Sequence, residues 1–149
     1  MALARAGVVY SAHTYQHDAR ATSYGLEAAV ALGLRPDEVF KTLVALVDGR
    51  AVVGIVPVSR SLDLKALAAA AGGRRAELAD AAKAQRMTGY VLGGISPIGQ
   101  KRSLPTFLDD SAHLLATVYV SGGRRGFDVG LAPGDLLALT GGSYAAIAR

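Results

Sequence analysis

With 149 residues, 51% hydrophobic composition and a formal net charge of +4, the chain suits one basic domain, residues 1–149, built around a single packed core. It contains no cysteine, which excludes disulfides, thiolate metal sites and a cysteine nucleophile. It has no apolar run near the roughly 20 residues of a membrane span and no apolar signal core at its start, so we expect a cytoplasmic protein.

Helix and strand patterns interleave along the chain without a regular βαβ repeat, and several strand pairs look like hairpins. An Asp48-Gly49 turn between two apolar runs is the clearest hairpin signal. We therefore expect an α/β or α+β domain around a curved, mixed, mostly antiparallel sheet. The first half of the chain predicts a helix over 24–33 after Ser23, a hairpin over 39–59, a helix over 62–72 opened by Ser61, a short strand over 76–78 and a helix over 81–89 opened by Asp80. An extended segment over 90–92 and a glycine-rich loop over 93–102 follow. The rest predicts strands over 104–109, 114–121 and 127–132, with 121–126 as the connection between the last two, then a helix over 133–139 and a last strand over 143–149.

A lysine stands inside the first strand of this hairpin. Side chains alternate between the faces of a strand, and both faces of 39–47 are apolar apart from Lys41 and Thr42. A strand that is apolar on both faces is normally covered on both sides. Lys41 must therefore either extend to solvent at the start of the strand or lie in a cleft, and the residues alone leave both readings open.

Common catalytic motifs do not fit. The segment 94–101 differs from a phosphate-binding P-loop because Gln100 stands at the lysine position and Arg102 follows Lys101. His13 and His17 lie four apart in a segment predicted to be extended, and the glutamate of a zinc hydrolase is missing, so a metal site is disfavoured. No Gly-x-Ser-x-Gly elbow occurs. No protein nucleophile is evident.

What remains is a set of polar and glycine residues that can bind a ligand without attacking it. A lysine in a cleft, backbone amides freed by glycines and a hydroxyl can bind ammonium, carbonyl or phosphate groups. Each member also has a structural explanation, since glycine pairs serve turns, a strand-end serine caps, and the aspartate can pair with a surface arginine. The set comprises Lys41, Thr42, Gly93-Gly94, Ser121-Gly122-Gly123 and Asp128.

Three basic pairs lie beside glycine-rich loop sequence: Arg74-Arg75, Lys101-Arg102 and Arg124-Arg125. Clustered cations of this kind can form an anion-binding rim for a polyanion such as a nucleic acid. The alternative is that each pair belongs to a solvated turn. The sequence does not show whether the three pairs converge.

Seven segments occur in the order and spacing of one protein family: HTYQHD, SYGLEAA, LGLRPDEVFKTLV, LDLKALA, TGYVLGGISPIGQK, LPTFLD and VSGGRRGFDVGLAPGDL. On these segments the chain resembles the YbaK-type aminoacyl-tRNA deacylases, which are related to the editing domain inserted in bacterial prolyl-tRNA synthetases. The resemblance spans nearly the whole chain. It implies a curved mixed sheet or partial barrel with flanking helices, and a first helix reduced to residues 2–6.

The resemblance also implies an activity. Members of the family hydrolyse the ester that joins an amino acid to the 3′ end of tRNA. They thereby remove the wrong amino acid from tRNA(Pro) that prolyl-tRNA synthetase has mischarged. Aminoacylated tRNA and the synthetase are the implied partners, and no metal or organic cofactor is implied. Residue by residue, Lys41 matches the family's functional lysine, the pocket positions around it match Tyr15, Tyr24, Phe40 and Thr42, and the other site positions match Gly93, Gly94, Ser121 and Asp128.

Phe40-Lys41-Thr42 resembles the relatives that clear cysteine, whereas relatives that clear alanine often have Lys-Asn here. The implied first substrate is Cys-tRNA(Pro), whose own thiol attacks the ester carbonyl and releases a thiolactone. The three basic pairs are then expected to contact tRNA. Two alternatives stay open: an Ala-tRNA(Pro) editing hydrolase that uses a bound water, and a non-enzymatic domain that binds tRNA or the synthetase.

Overall fold

The computed structural model describes residues 7–16, 24–91 and 94–149. Ser23, His17, Leu92, Gly93 and the expected first helix over 2–6 lie outside these ranges. The elements are β1 (Tyr10–Thr14), α1 (Tyr24–Leu32), β2 (Phe40–Val47), β3 (Arg50–Pro57), α2 (Leu64–Ala70), β4 (Ala76–Leu78), α3 (Ala81–Thr88), β5 (Thr106–Asp109), a 3₁₀ helix (Asp110–Leu114), β6 (Val118–Arg124), β7 (Phe127–Leu131), α4 (Pro133–Thr140) and β8 (Ser143–Ala145).

The strands form two sheets, with the orders β1-β7-β6 and β4-β2-β3-β5-β8. Pairing is antiparallel except for β5, which runs parallel to both β3 and β8. A parallel bridge between Val39 and Tyr119 joins the sheets, and the Tyr119 N–H donates to the Glu38 carbonyl at 3.0 Å. The expected mixed, mostly antiparallel α/β fold is confirmed, but as two sheets rather than one, with no closed barrel among the described strands.

The predicted hairpin has its turn at Asp48-Gly49, and its register runs from Phe40–Pro57 to Val47–Arg50. Asp48 has φ +49° and Gly49 has φ +82°, the left-handed backbone that lets a two-residue turn match the twist of its strands. The hairpin is therefore regular from end to end, and Lys41 stands at a fixed place near the end far from the turn.

Most helices end where the sequence predicts. Asp80 caps α3, with its side chain accepting from the Lys83 N–H, and Gly89 ends the helix in the left-handed conformation. The start of α2 was wrong by two residues, because Asp63 rather than Ser61 caps it and accepts from the Ala66 N–H.

Three strand predictions need correction. The 114–121 strand begins only at Val118, because 110–114 forms the 3₁₀ helix. The predicted connection 121–126 is largely strand, since β6 continues to Arg124 through a bulge and leaves only a short turn before β7. The last strand is limited to Ser143–Ala145.

The main core lies between the two sheets. Val53, Ile55 and Leu108 of the five-stranded sheet pack against Val120 and Val129 of the three-stranded sheet. A second apolar cluster lies where α2 covers the other face of the β2–β3 hairpin. None of the helices in the described ranges is long and apolar enough to cross a membrane.

Candidate active site

A cleft of about 180 Å³ opens where the start of β2 meets α1 and the three-stranded sheet. This volume is below the roughly 300–1,000 Å³ of pockets that enclose drug-sized ligands, so the cleft suits a small group. It brings together seven of the nine predicted site residues. The lining consists of Tyr15, Tyr24, Gly25, Ala28, Val39, Phe40, Lys41, Thr42, Leu43, Ile95, Ser121 and Asp128.

Lys41 lines this cleft and is half-buried. It lies on β2 opposite Val56 of β3, so the hairpin ladder fixes its backbone. Burial lowers the pKa of Lys41, because partial removal from water disfavours the charged ammonium. Of the two readings left open by the sequence, the structure has the lysine in a cleft.

Asp128 lies in the middle strand of the three-stranded sheet, between His13 of β1 and Ser121 of β6. Only 5% of the residue is exposed, so it is not a surface partner for Arg124 or Arg125. Burial raises the pKa of Asp128 to about 6, which leaves most of the carboxyl ionised at neutral pH.

Tyr15 is electrostatically coupled to Asp128. Burial raises the pKa of the Tyr15 phenol, and the Asp128 carboxylate raises it further, because a second negative charge close to the first is disfavoured. Tyr15 therefore stays protonated and can donate a hydrogen bond to a ligand. Its backbone is tied to the β6–β7 turn by an N–H bond of 2.9 Å to the Gly126 carbonyl.

Two hydroxyls line the cleft. Thr42 is 8% exposed, and its Oγ1 has no hydrogen-bond partner among the described residues. A buried hydroxyl without a partner costs free energy, which a ligand polar group would recover. Ser121 Oγ instead accepts from the Gly123 N–H at 3.2 Å, so it is already held in place.

Gly94 lies against the β6–β7 hairpin and outside the cleft lining. A Cβ atom on Gly94 would be 2.7 Å from the Arg124 Cα and 2.9 Å from its carbonyl carbon. Only glycine permits such a backbone-to-backbone approach. It brings the next residue, Ile95, into the cleft wall.

One basic pair borders the cleft. The Arg125 guanidinium lies 4.4 Å from the ring centre of Tyr24, a lining residue, and the Arg124 guanidinium lies 4.9 Å from the ring centre of Phe127. Cation–π contacts of this kind hold a guanidinium in place beside an aromatic ring.

The other two basic pairs lie elsewhere. Arg74 and Arg75 donate their backbone N–H groups to the Asp48 carboxylate at the hairpin turn, 3.0 Å in each case. Asp48 is seven residues from Lys41, roughly 23 Å along an extended strand. The Lys101-Arg102 pair follows the glycine loop, where the Lys101 N–H donates to the Thr88 carbonyl at 2.8 Å and Arg102 borders a separate groove. The three pairs do not line a single rim.

Sequence reasoning missed five lining residues. They are small or apolar: Gly25, Ala28, Val39, Leu43 and Ile95. Gly25 is the most restrictive, because a Cβ there would lie 2.2 Å from a methyl carbon of Val58. Four of them adjoin a predicted site residue in the sequence, and Ala28 adjoins none. An apolar wall and an apolar core have the same pattern in sequence, so nothing else marked these residues.

Known proteins place these observations in a family. A model of the aminoacyl-tRNA editing domain matches residues 19–139. A protein of Enterococcus faecalis, named as a candidate Cys-tRNA(Pro)/Cys-tRNA(Cys) deacylase, EbsC, is 40% identical over 120 residues, which are 80% of this chain and 73% of that protein. The proline–tRNA ligase of Maridesulfovibrio salexigens is 30% identical over 95 residues, 64% of this chain but 16% of the ligase.

Solved structures agree. A hypothetical protein, APE2540, superposes with a TM-score of 0.87 at 26% identity and covers 99% of this chain and 96% of its own. A candidate trans-editing enzyme for prolyl tRNA synthetase superposes with a TM-score of 0.83 at 27% identity and covers 94% of this chain and 87% of its own. The chain belongs to the aminoacyl-tRNA editing domain family.

Proposed function

We propose that this chain is an aminoacyl-tRNA deacylase that clears mischarged Cys-tRNA(Pro), and also Cys-tRNA(Cys), in trans. The relative that is 40% identical carries both substrates in its name, and Phe40-Lys41-Thr42 fits the cysteine-clearing branch. The domain of this activity is the whole chain, residues 1–149, acting in the cytoplasm, where its substrate is made. Prolyl-tRNA synthetase is the proposed partner, since relatives include a ligase with a similar segment and a candidate trans-editing enzyme for that synthetase.

The observation that carries the proposal is one small cleft that combines a cation, an anion and a hydroxyl with no partner in the described ranges: Lys41, Asp128 and Thr42. An amino acid esterified to tRNA presents a cationic α-ammonium, an ester carbonyl and a nearby phosphodiester. The buried Asp128 carboxylate suits the ammonium, and the Lys41 ammonium suits the phosphate and the negative charge that develops on the carbonyl oxygen.

The nucleophile in this proposal is the substrate's own thiol, since the chain contains no cysteine and Ser121, the serine among the described lining residues, has the Gly123 N–H rather than a base as its hydrogen-bond partner. The sulfur attacks the ester carbonyl carbon, the carbon–oxygen bond to the ribose breaks, and the thiol proton ends on the ribose oxygen. The products are tRNA with a free terminal hydroxyl and the thiolactone of cysteine. Oriented intramolecular attack has an effective molarity of about 10⁵ M or more, so the protein has to supply orientation and charge only.

Each remaining predicted residue has a place in this scheme. Tyr15, Tyr24 and Phe40 form the aromatic wall, Ser121 holds the bulge beside the cleft, and Gly94 allows the loop to close on the hairpin. Gly93 is assigned by its match to the family alone. Arg124 and Arg125 are proposed to contact the phosphates of the tRNA 3′ end, and the more distant Arg74, Arg75, Lys101 and Arg102 to contact its helical part.

The test is to incubate the purified protein with tRNA(Pro) charged with cysteine, alanine or proline, and to follow loss of the ester. The proposal expects fast loss of cysteine, slow loss of alanine and no loss of proline. Faster loss of alanine than of cysteine would favour the alanine-editing alternative. Binding of tRNA without any ester loss would leave the non-enzymatic domain instead.

A further inference from the structure

Tyr90 is not part of the cleft lining, yet it contacts three segments around the site. It follows α3, and its N–H donates to Thr88 Oγ1 at 3.2 Å. Its phenol donates to the Ile98 carbonyl at 2.5 Å. Its ring lies on the bulge of β6, where a Cβ on Gly123 would be 3.0 Å from the Tyr90 Cε1.

The phenol and Ser96 together hold both backbone polar groups of Ile98 in the turn at 96–98. The Ile98 N–H donates to Ser96 Oγ at 3.2 Å, and the Ile98 carbonyl accepts from the Tyr90 phenol. Ser96 and Ile98 are both buried, at 2% and 7% exposure. Because this turn is buried, loss of the phenol would take a hydrogen bond from the Ile98 carbonyl in a place that water does not reach easily, which costs free energy.

This turn is connected to the cleft at both ends. On one side it continues into Gly94, which lies against the Arg124 backbone, and into Ile95, which forms part of the cleft wall. On the other side the chain returns to α3, where the Lys101 N–H donates to the Thr88 carbonyl at 2.8 Å. Tyr90 therefore stands between the glycine loop and the bulge that follows Ser121.

We propose that Tyr90 is a positioning residue, which holds the 94–98 segment against the Gly122-Gly123 bulge and thereby sets the width of the cleft. The proposal rests on the deacylase function proposed above, and it assigns Tyr90 no contact with the substrate. Its effect passes through Ile95, which lines the cleft together with Lys41 and Thr42 and belongs to the apolar cluster that Tyr90 packs against. A wider cleft would hold the aminoacyl group less firmly and lose the orientation on which intramolecular attack depends.

The experiment compares Tyr90→Phe with Tyr144→Phe. The first change removes only the phenolic oxygen and keeps the ring on Gly123, whereas Tyr144 is a half-buried tyrosine that contacts His113 and lines a different pocket. Two quantities are measured: exchange of the backbone amide hydrogens of 94–98, and kcat and KM for ester loss from Cys-tRNA(Pro).

For Tyr90→Phe we expect amide exchange at 94–98 to accelerate about tenfold and kcat to fall about tenfold, while KM changes less than threefold because the RNA contacts are unaltered. Tyr144→Phe should change none of these. Unaltered exchange, or faster exchange with unaltered kcat, would overturn the positioning role. Absence of ester loss with the wild-type protein would instead refute the deacylase function, so the two failures are distinct.

Discussion

Lys41 and Asp128 line one cleft although their strands, β2 and β7, belong to different sheets. The parallel bridge between Val39 and Tyr119 joins the sheets one residue before β2 begins. Burial disfavours the charge of both groups, lowering the pKa of Lys41 and raising that of Asp128. A ligand with a complementary charge for each would offset this cost, and an aminoacyl-tRNA end carries both charges.

Replacing Lys41 by alanine should lower kcat/KM for Cys-tRNA(Pro) by about 100-fold or more, which is the usual scale for loss of a group that stabilises transition-state charge. Stability should not fall, because burial disfavours the ammonium in the folded chain. Kinetics and thermal unfolding of Lys41→Ala measure the two effects. Lys65→Ala, an exposed lysine on α2, is the matched control and should behave as wild type. Unchanged turnover in Lys41→Ala would remove this lysine from the mechanism.

Because Asp128 is buried and titrates near pH 6, we expect stability to fall and activity to rise as the pH increases. Its pKa is about 6 in the folded chain against an ordinary value of 3.8, so the folded chain binds more protons than the unfolded chain between these values, and stability falls as pH rises through this window. The cost at neutral pH is about 3 kcal/mol at most. Activity should rise over the same window with an apparent pKa near 6, because only the carboxylate attracts the substrate ammonium.

The measurement is chemical unfolding and kcat/KM between pH 4 and pH 8 for wild type and Asp128→Asn. The asparagine variant should lose this part of both profiles and show about 10- to 100-fold lower kcat/KM, the scale of one lost charged hydrogen bond. Parallel profiles for the two proteins would contradict an ionised Asp128 in binding.

Gly94→Ala should move the glycine loop, because the new Cβ would meet Arg124 backbone atoms at 2.7 and 2.9 Å and a backbone cannot turn aside as a side chain can. We expect a stability loss of about 1–3 kcal/mol and a fall in kcat/KM of about tenfold. Gly134→Ala is the control, since nothing lies within 4 Å of a Cβ there. Equal behaviour of the two variants would mean that the loop's approach to Arg124 is unimportant.

The resemblance to a family predicted most of the cleft residues, because these residues occur within short contiguous motifs that can be recognised in the sequence. Phe40-Lys41-Thr42 is one contiguous stretch, and its strand was readable from composition. The proximity of Lys41 to Asp128 was not readable, because no local pattern tells which distant strands meet. The short strand β5 illustrates this, since it pairs in parallel with both β3 and β8 and parallel pairs have no turn signal between them.

The bulge of β6 was predicted as a loop because glycines usually mark turns. Here Gly122 has a different role: a Cβ on it would lie 2.4 Å from the ring of Phe127, so the strand needs a residue without a side chain. The same limit applies to the capping of α2, where Ser61 and Asp63 are both good capping residues and tertiary contacts choose between them. The Asp63 N–H donates to the Ile147 carbonyl at 2.6 Å, a contact 84 residues away that fixes the start of the helix.

The basic pairs should bind different parts of the tRNA, so their loss should affect RNAs of different length differently. Arg124 and Arg125 lie beside the cleft. Changing either to glutamate should weaken binding of both full Cys-tRNA(Pro) and a short aminoacylated 3′ fragment. Arg74→Glu and Arg75→Glu, at the hairpin turn, should weaken only the full tRNA. Each lost phosphate contact should reduce the slope of log affinity against log salt by about 1.

Titration at several salt concentrations measures these slopes, with exposed Lys65→Glu as the control. A flat salt response in the wild type would remove the phosphate contacts altogether. If Arg74→Glu weakened binding of the short fragment as much as binding of the full tRNA, the assignment of Arg74 to the helical part of the tRNA would be wrong.

The nucleophile of the proposed reaction is the thiol of the substrate itself. If the cysteine thiol attacks its own ester, Ser-tRNA(Pro) should react at least about 100-fold more slowly than Cys-tRNA(Pro), because a hydroxyl is a much weaker nucleophile near neutral pH. The two substrates differ by one atom and should bind comparably in a cleft of about 180 Å³, so the ratio reports chemistry rather than fit. Single-turnover rates with excess protein measure the ratio between the two substrates. A chemical trap for the thiolactone shows whether the cysteine substrate is released in that form.

The rival mechanism uses a water molecule held by a cleft hydroxyl, and Thr42 Oγ1 has no partner among the described residues that would compete for it. A water would hydrolyse both esters at similar rates and release free amino acid. Thr42→Val separates the mechanisms further, since it keeps the shape of the side chain and removes the hydroxyl. It should abolish water attack but slow thiol attack only modestly. Similar rates for serine and cysteine, no trapped thiolactone and an inactive Thr42→Val would together refute substrate-assisted cleavage.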